Sequence, residues 1–150
     1  MPRDSLRIVL ISRDIELRIV SLIVRAREAA EEVIFLDLGS NDSSVDLASE
    51  IHCQVMHFND EISPQSLAKF INQSGLEEID STLLLMIGDE WKMRDLPISI
   101  NRSSEGWDVH LSHHVLDVKE SSEEELILQT AQLEHLILTP SGIETLSHLS

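Results

Sequence analysis

The chain of 150 residues has the usual size of one domain, and an apolar fraction of 42% is enough for a hydrophobic core, which argues against a wholly disordered protein. With 27 acidic and 11 basic residues the formal charge is −16, so no nucleic acid partner is expected. No apolar run is long enough for a membrane span, the N-terminal segment lacks a signal-peptide pattern, and one cysteine cannot form an internal disulfide. These features predict a cytoplasmic protein without membrane contact.

The first part of the chain alternates short apolar runs with helical patterns. Apolar runs predict strands at residues 7–11, 33–37, 54–58 and 82–87. Helical spacing and capping residues predict helices at residues 14–30, from Ser43 or Ser44 to about residue 51, and at residues 63–75. The order β-α-β-α-β-α-β predicts an α/β fold with a mostly parallel sheet and helices on both faces.

The pattern is less regular beyond residue 95. Residues 107–118 alternate between apolar and polar and predict an antiparallel strand or hairpin, and residues 125–139 fit either a strand or a helix. Residues 141–149 predict a short final helix after a proline. We therefore expect one domain over residues 1–150, in which an antiparallel part follows the parallel core.

Polar segments follow two of the predicted strands. Asp37 closes the second strand before a turn-forming segment, and Gly88-Asp89-Glu90 follows the fourth strand. Because ligands of open parallel sheets bind beyond the carboxyl ends of the strands, both segments are candidate binding loops. The first carboxylate can accept hydrogen bonds from a nucleotide base or ribose, and the second can hold a divalent cation on a diphosphate. By local chemistry alone, an aspartate-rich turn more often only caps the next helix.

The two candidate loops lie within longer stretches that resemble a known protein family. The stretch VIFLDLGSNDSSVDLASEIHCQVMHF resembles the nucleotide-binding stretch of family-2 glycosyltransferases, which reads V-V-D-D-G-S-T-D-G-T before a helix and a strand. About 50 residues later, TLLLMIGDEWKMRDLP is similar to the DxD region of that family, which reads roughly F-L-D-A-D-E. A weaker similarity lies in HLILTPSGIETL, near the end of the chain.

The resemblance implies a GT-A fold, with the nucleotide-binding part over residues 7–97 and an incomplete acceptor-side part over residues 98–150. In the family, such a domain binds a nucleotide-diphosphate sugar and transfers the sugar to an acceptor hydroxyl with inversion, helped by a divalent cation, Mn²⁺ or Mg²⁺. We also expect that a partner chain, or a second copy of this chain, completes the domain.

The resemblance also implies roles for individual residues. Asp37 matches the first aspartate of the early motif and would contact the base. Gly39, Ser40 and Asp42 match its G, S and D and would shape the nucleotide-binding loop. Asp89 matches the second aspartate of the DxD region and would be the metal ligand.

The sequence also departs from the family pattern. Leu38 and Ile87 replace an early polar residue and the first aspartate of the DxD region, and Thr139-Pro140 replace a basic pair. No residue matches the family's catalytic base, and nothing in the spacing of Glu90, Glu105 or Asp108 selects one of them. Two interpretations stay open: a glycosyltransferase, or an inactive module on the same fold that binds a nucleotide sugar or another protein.

Other functions fit the sequence less well. A phospho-acceptor signalling domain needs an acidic pair after the first strand, where Ser12-Arg13-Asp14 stands, and a dinucleotide-binding domain needs a G-x-G-x-x-G that is absent there. His110 and His114 would share a face of one continuous strand and could join a metal site, but half-exposed strand positions are the interpretation we favour.

Overall fold

The computed structural model describes residues 6–61, 64–77, 79, 81–87, 109–111, 114–116, 135–138, 143–144 and 147. The strands are β1 Leu6–Ser12, β2 Glu32–Asp37, β3 Gln54–His57, β4 Ser81–Met86, β5 Val109–Leu111, β6 His114–Leu116 and β7 His135–Leu138. The helices are α1 Ile19–Ala29, α2 Ser44–Glu50 and α3 Pro64–Gln73.

The strands form one sheet with the order β3-β2-β1-β4-β7-β5-β6. The first four are parallel, since β1 pairs with β2 and β4, and β2 pairs with β3. Strands β7, β5 and β6 extend the sheet beyond β4 in antiparallel pairs. The parallel core confirms the predicted α/β fold. Its strand order turns back between β1 and β4, which is where ligands bind in open sheets of this type.

Helices cover both faces of the parallel core, as predicted. Every residue of β1 is buried, so alternate side chains of this strand enter two separate hydrophobic clusters. The cluster beneath α1 and α2 contains Ile8, Leu10, Ile19, Leu22, Ile23, Val33, Phe35, Ala48, Leu83 and Leu85. The cluster beneath α3 contains Val9, Ile11, Ile34, Leu36, Phe58, Leu67, Ala68, Ile71 and Leu84.

Helix α1 begins later than the sequence predicts. We expected it to begin at Asp14, but it begins at Ile19, after a turn closed by the Arg18 N–H donating to the Ile15 carbonyl. The backbone N–H groups of residues 14, 15 and 16 donate to side chains of a neighbouring loop. Asp14 itself has φ of 55°, in the left-handed region that ends or delays a helix.

An ion pair lies at the amino end of the sheet. Arg7 in β1 is 3% exposed, and its Nε donates to Glu32 of β2 over 2.7 Å. A second guanidinium nitrogen donates to the backbone carbonyl of Glu77, after α3. Arg7 thus ties β1 to β2 and to the segment between α3 and β4, at the edge opposite the candidate site.

In the part of the chain that the structure describes, no helix combines the length and the apolar character needed to cross a bilayer.

Candidate functional site

Two loops meet at the carboxyl edge of the parallel sheet. Loop 1 is residues 13–18, after β1, and loop 2 is residues 38–43, after β2. Because β1 and β2 are neighbouring parallel strands, with Ser12 beside Asp37, both loops leave the sheet at the same edge. Hydrogen bonds from backbone groups of each loop to side chains of the other, or of adjoining Ser44, hold them together.

Ser44 makes the buried link between the loops. Its side chain is fully buried, and its Oγ accepts the Ile15 N–H over 2.9 Å while donating to Asp42 Oδ1 over 2.5 Å. The other carboxylate oxygen of Asp42 accepts the Glu16 N–H over 3.1 Å. Ser44 and Asp42 therefore satisfy two backbone donors of loop 1.

Asp14 and Glu16 provide the reverse contacts. Asp14 Oδ1 accepts the Asn41 N–H over 2.7 Å, and the Asp14 N–H donates to Ser40 Oγ over 3.0 Å. The Ser43 N–H donates to a Glu16 carboxylate oxygen over 3.2 Å. Side chains of each loop thus accept backbone N–H groups of the other.

Asp42 also replaces the expected serine cap of α2. Ser43 occupies the N-cap position, but its side chain makes no cap hydrogen bond, whereas Asp42 Oδ1 accepts the Ser44 N–H over 2.9 Å. The expectation of a cap by Ser43 or Ser44 is therefore wrong. A carboxylate accepts the helix N–H more strongly than a hydroxyl does. The Ser44 hydroxyl, helped by the N–H groups of Ser44 and Glu16, holds the pKa of Asp42 below its usual value, against the opposing effect of desolvation.

Asp37 lies at the base of loop 2 and is 3% exposed. Its Oδ1 accepts the Ser40 hydroxyl over 2.5 Å and the Ser40 N–H over 3.1 Å, and its Oδ2 lies 3.3 Å from the Gly39 nitrogen. Gly39 has φ of 103°, which L side chains rarely adopt, so glycine is required for the loop to fold back on the carboxylate. Asp37 therefore shapes the loop that it begins.

His57 contacts the same carboxylate from the next strand. It is the last residue of β3, paired in register with Asp37, and its Nδ1 lies 3.2 Å from Asp37 Oδ2. The His57 side chain is 62% exposed, whereas that of Asp37 is 4% exposed. The sequence analysis gave His57 no role, because only the register of β3 on β2 brings the two side chains together.

The end of β1 connects both candidate loops to the sheet. The Ser12 hydroxyl donates to the Ile87 carbonyl over 2.7 Å, and the Ser12 carbonyl accepts the Leu38 N–H over 3.1 Å. The Ile87 N–H donates to the Ile11 carbonyl over 3.0 Å. Ser12 thus fixes the points at which loop 2 and the segment following β4 leave the sheet.

Four of the predicted site residues, Asp37, Gly39, Ser40 and Asp42, lie together at the start of α2. Asp89, the predicted metal ligand, lies outside the described residues, as do Glu90, Glu105 and Asp108. Ile87 is described, and it is a buried hydrocarbon at the position of the first DxD aspartate. Among the residues described by the structure, no three histidine, cysteine, aspartate or glutamate side chains form a group that could hold a metal ion.

The two histidines considered for a metal site do not share one strand. His110 lies in β5, paired with Val115, and His114 lies in β6, paired with Leu111. Because β5 and β6 are two strands in an antiparallel pair, the two histidines do not lie on one continuous strand. The shared face expected for a single strand is therefore not observed.

Solved structures are similar to this fold, although no protein-family model and no curated protein matches the sequence. Glucosyl-3-phosphoglycerate synthase from Mycobacterium tuberculosis in complex with uridine diphosphate (UDP) is 16% identical, with a TM-score of 0.57 over 91% of this chain and 57% of that chain. The same enzyme with Mn²⁺, UDP and glucosyl-3-phosphoglycerate is 14% identical, with a TM-score of 0.56 over the same shares. Mannosyl-3-phosphoglycerate synthase from Rubrobacter xylanophilus is 10% identical, with a TM-score of 0.56 over 91% and 53%.

This chain therefore spans little more than half the length of the solved structures that it matches. At such low identity the similarity shows the fold alone. The parallel core, its helices on both faces and these neighbours together show that the chain has a GT-A-type glycosyltransferase fold.

Proposed function

We propose that the protein binds a nucleotide-diphosphate sugar at loops 1 and 2 and serves the transfer of that sugar to an acceptor hydroxyl. The observation that carries the proposal is the joined pair of loops around Asp37, at the carboxyl edge of a fold whose solved neighbours hold UDP. Such an edge is where open parallel sheets bind nucleotides.

The hydrogen bonds of the loops favour one orientation of the nucleotide. The N–H groups of residues 14–16 and of residues 40, 41, 43 and 44 already donate to protein oxygens, so they are poor candidates for holding phosphates. We therefore place the nucleoside near Asp37, at the ends of β2 and β3, and the diphosphate toward the end of β4. In the sequence, Asp89 comes two residues after Ile87, the residue that follows β4.

A divalent cation is the proposed companion of the diphosphate, since the solved neighbours include complexes with Mn²⁺ and UDP. The described residues do not form a site for it, because Ile87 cannot ligate a metal. Asp89 is the protein ligand that we propose.

Transfer with inversion requires a base that accepts the proton of the acceptor hydroxyl as that oxygen attacks the sugar. We assign no residue of this chain to that role. What the described residues contribute is binding: they fix the loops, and they shield the Asp37 carboxylate from water.

A transfer assay tests the proposal. The full chain is incubated with UDP-sugars or GDP-sugars, with and without Mn²⁺, and released nucleotide and transferred sugar are measured. We expect turnover that falls in Asp89→Ala and persists in Asp46→Ala, an exposed aspartate of α2 that serves as the matched control. Binding without turnover would assign the inactive nucleotide-sugar module instead, and binding unaffected by Mn²⁺ would remove Asp89 as a metal ligand.

A further inference from the structure

The carboxylate of Asp37 has little capacity left for a ligand. A carboxylate offers about four acceptor positions on its two oxygens. The Ser40 hydroxyl and N–H donate to Oδ1, the same N–H also lies 3.3 Å from Oδ2, and the Gly39 N–H lies 3.3 Å from Oδ2. His57 Nδ1 takes the remaining approach to Oδ2 at 3.2 Å. With 3% of Asp37 exposed, a base could contact its carboxylate only after these groups had moved.

His57 presents a second ring nitrogen at the same place, Nε2, to which none of the described residues is hydrogen-bonded. A neutral imidazole carries one N–H, and an ionised carboxylate only accepts hydrogen bonds, so the proton of a neutral His57 ring lies on Nδ1. Its Nε2 is then an acceptor, fixed in tautomer and orientation by Asp37. The side chain is 62% exposed, so a ligand can contact it without any rearrangement of loop 2.

We propose that His57 contacts the nucleotide base through Nε2 and that Asp37 is its positioning residue. This inference rests on the proposed function, because it assumes that the nucleoside lies at the ends of β2 and β3. An acceptor at Nε2 suits a base with a ring N–H, and uracil, thymine and guanine are the common bases that have one. His57 thereby becomes a determinant of base specificity.

The first test removes the two partners of the proposed hydrogen bond one at a time. Methylation of N3 removes the donor of the base, and His57→Ala removes the acceptor Nε2. Binding of UDP and of N3-methyl-UDP is measured by calorimetry for the wild-type chain, for His57→Ala and for the control His52→Asn. His52 is an exposed histidine with φ of 60°, a conformation that asparagine tolerates.

We expect the wild-type chain and His52→Asn to bind UDP at least about fivefold more tightly than N3-methyl-UDP, the effect of one lost hydrogen bond. In His57→Ala the affinity for UDP falls to that for the methylated ligand. Equal discrimination in His57→Ala and the wild-type chain would overturn the inference while leaving the proposed function in place. Tighter UDP binding by His57→Ala would also overturn it, because it would show that His57 competes with the base for Asp37. Failure of the wild-type chain to bind UDP or GDP would remove the proposed function and the inference together.

A second measurement tests the role of Asp37 without a ligand. Nitrogen-15 chemical shifts of the His57 ring report which nitrogen carries the proton. We expect the Nδ1–H form in the wild-type chain at neutral pH. In Asp37→Asn an amide N–H can face Nδ1, so we expect a shift to the Nε2–H form and, with it, loss of the preference for UDP over N3-methyl-UDP. An unchanged tautomer in Asp37→Asn would contradict the positioning role.

Discussion

Replacement of Ser44 by alanine should separate the two loops at their buried contact. The variant removes the hydroxyl that accepts the Ile15 N–H over 2.9 Å and donates to Asp42 over 2.5 Å. Ser44 is fully buried and Ile15 is 7% exposed, so water cannot easily replace the lost acceptor. Helix α2 and the strands keep their own hydrogen bonds, so we expect the fold to persist.

The size of the effect follows from the two bonds. A buried N–H without an acceptor costs about 1–3 kcal/mol. The lost hydrogen bond from the Ser44 hydroxyl to Asp42 contributes less to the free energy of unfolding, because the Asp42 carboxylate still accepts the N–H groups of Ser44 and Glu16. Alanine at the first position of α2 returns about 0.5 kcal/mol through its higher helix propensity. We expect a net loss of about 2 kcal/mol in the free energy of unfolding, and a Tm lower by roughly 4–8 °C for a chain of this size.

Urea unfolding followed by circular dichroism measures the loss, and the neighbouring serine provides the control. Ser43 is exposed and its side chain makes no cap hydrogen bond, so Ser43→Ala should change the free energy of unfolding by no more than about 0.5 kcal/mol. If Ser44→Ala proves no more destabilising than Ser43→Ala, the loops are not joined through Ser44 and this part of the account is refuted.

Three further predictions concern charges and the cysteine. Glu32→Gln should lower the free energy of unfolding by about 3 kcal/mol in urea titrations, more than Arg7→Met, because it leaves the buried guanidinium without its counter-charge, whereas Arg7→Met leaves a partly exposed carboxylate that water can solvate; a larger loss in Arg7→Met would contradict the burial argument. Because Asp42 has a lowered pKa when folded, its stabilising effect is present above the unfolded pKa of about 3.9 and is lost as the pH falls through the lower folded value. The stability advantage of the wild-type chain over Asp42→Asn should therefore shrink below about pH 4, and an advantage that grows there would refute the shift. Cys53 is 6% exposed and burial raises the pKa of its thiol, so a thiol reagent should label it at the rate of unfolding; immediate labelling of the native chain would show that it is accessible.

The parallel core could be predicted from the sequence because its strands are short apolar runs. The predicted strand at residues 33–37 is observed as Glu32–Asp37, and that at residues 82–87 as Ser81–Met86. A strand buried on both faces needs apolar side chains at nearly every position, and this composition is visible without knowledge of its neighbours. Because these strands alternate with helices along the chain, a mostly parallel sheet covered by helices is the arrangement expected.

The start of α1 could not be predicted for a physical reason. Ile15 and Ile19 continue the helical spacing of apolar residues, so the pattern extends to Asp14. The helix begins later because Asp14 has φ of 55°, and its N–H and carboxylate are bonded to Ser40 and Asn41, which are distant in sequence. Tertiary contacts thus override a local pattern.

The candidate site was only partly accessible to sequence reasoning. Asp37, Gly39 and Ser40 stand out because the motif places them in one turn. His57 does not, since its contact with Asp37 depends on the pairing of β3 with β2, and a histidine at the end of an edge strand has no pattern of its own. A regular search of residues that end neighbouring parallel strands would have found it.

Calorimetric titration of the full chain with UDP, GDP and their sugar conjugates, with and without Mn²⁺, tests the central claim most directly. We expect saturable binding of at least one nucleotide, weakened at least about tenfold in Asp37→Ala and unchanged in Asp46→Ala, because Asp37, unlike Asp46, supports loop 2 and orients His57. Absence of binding for every nucleotide, or equal affinity in the wild-type chain and Asp37→Ala, would contradict it.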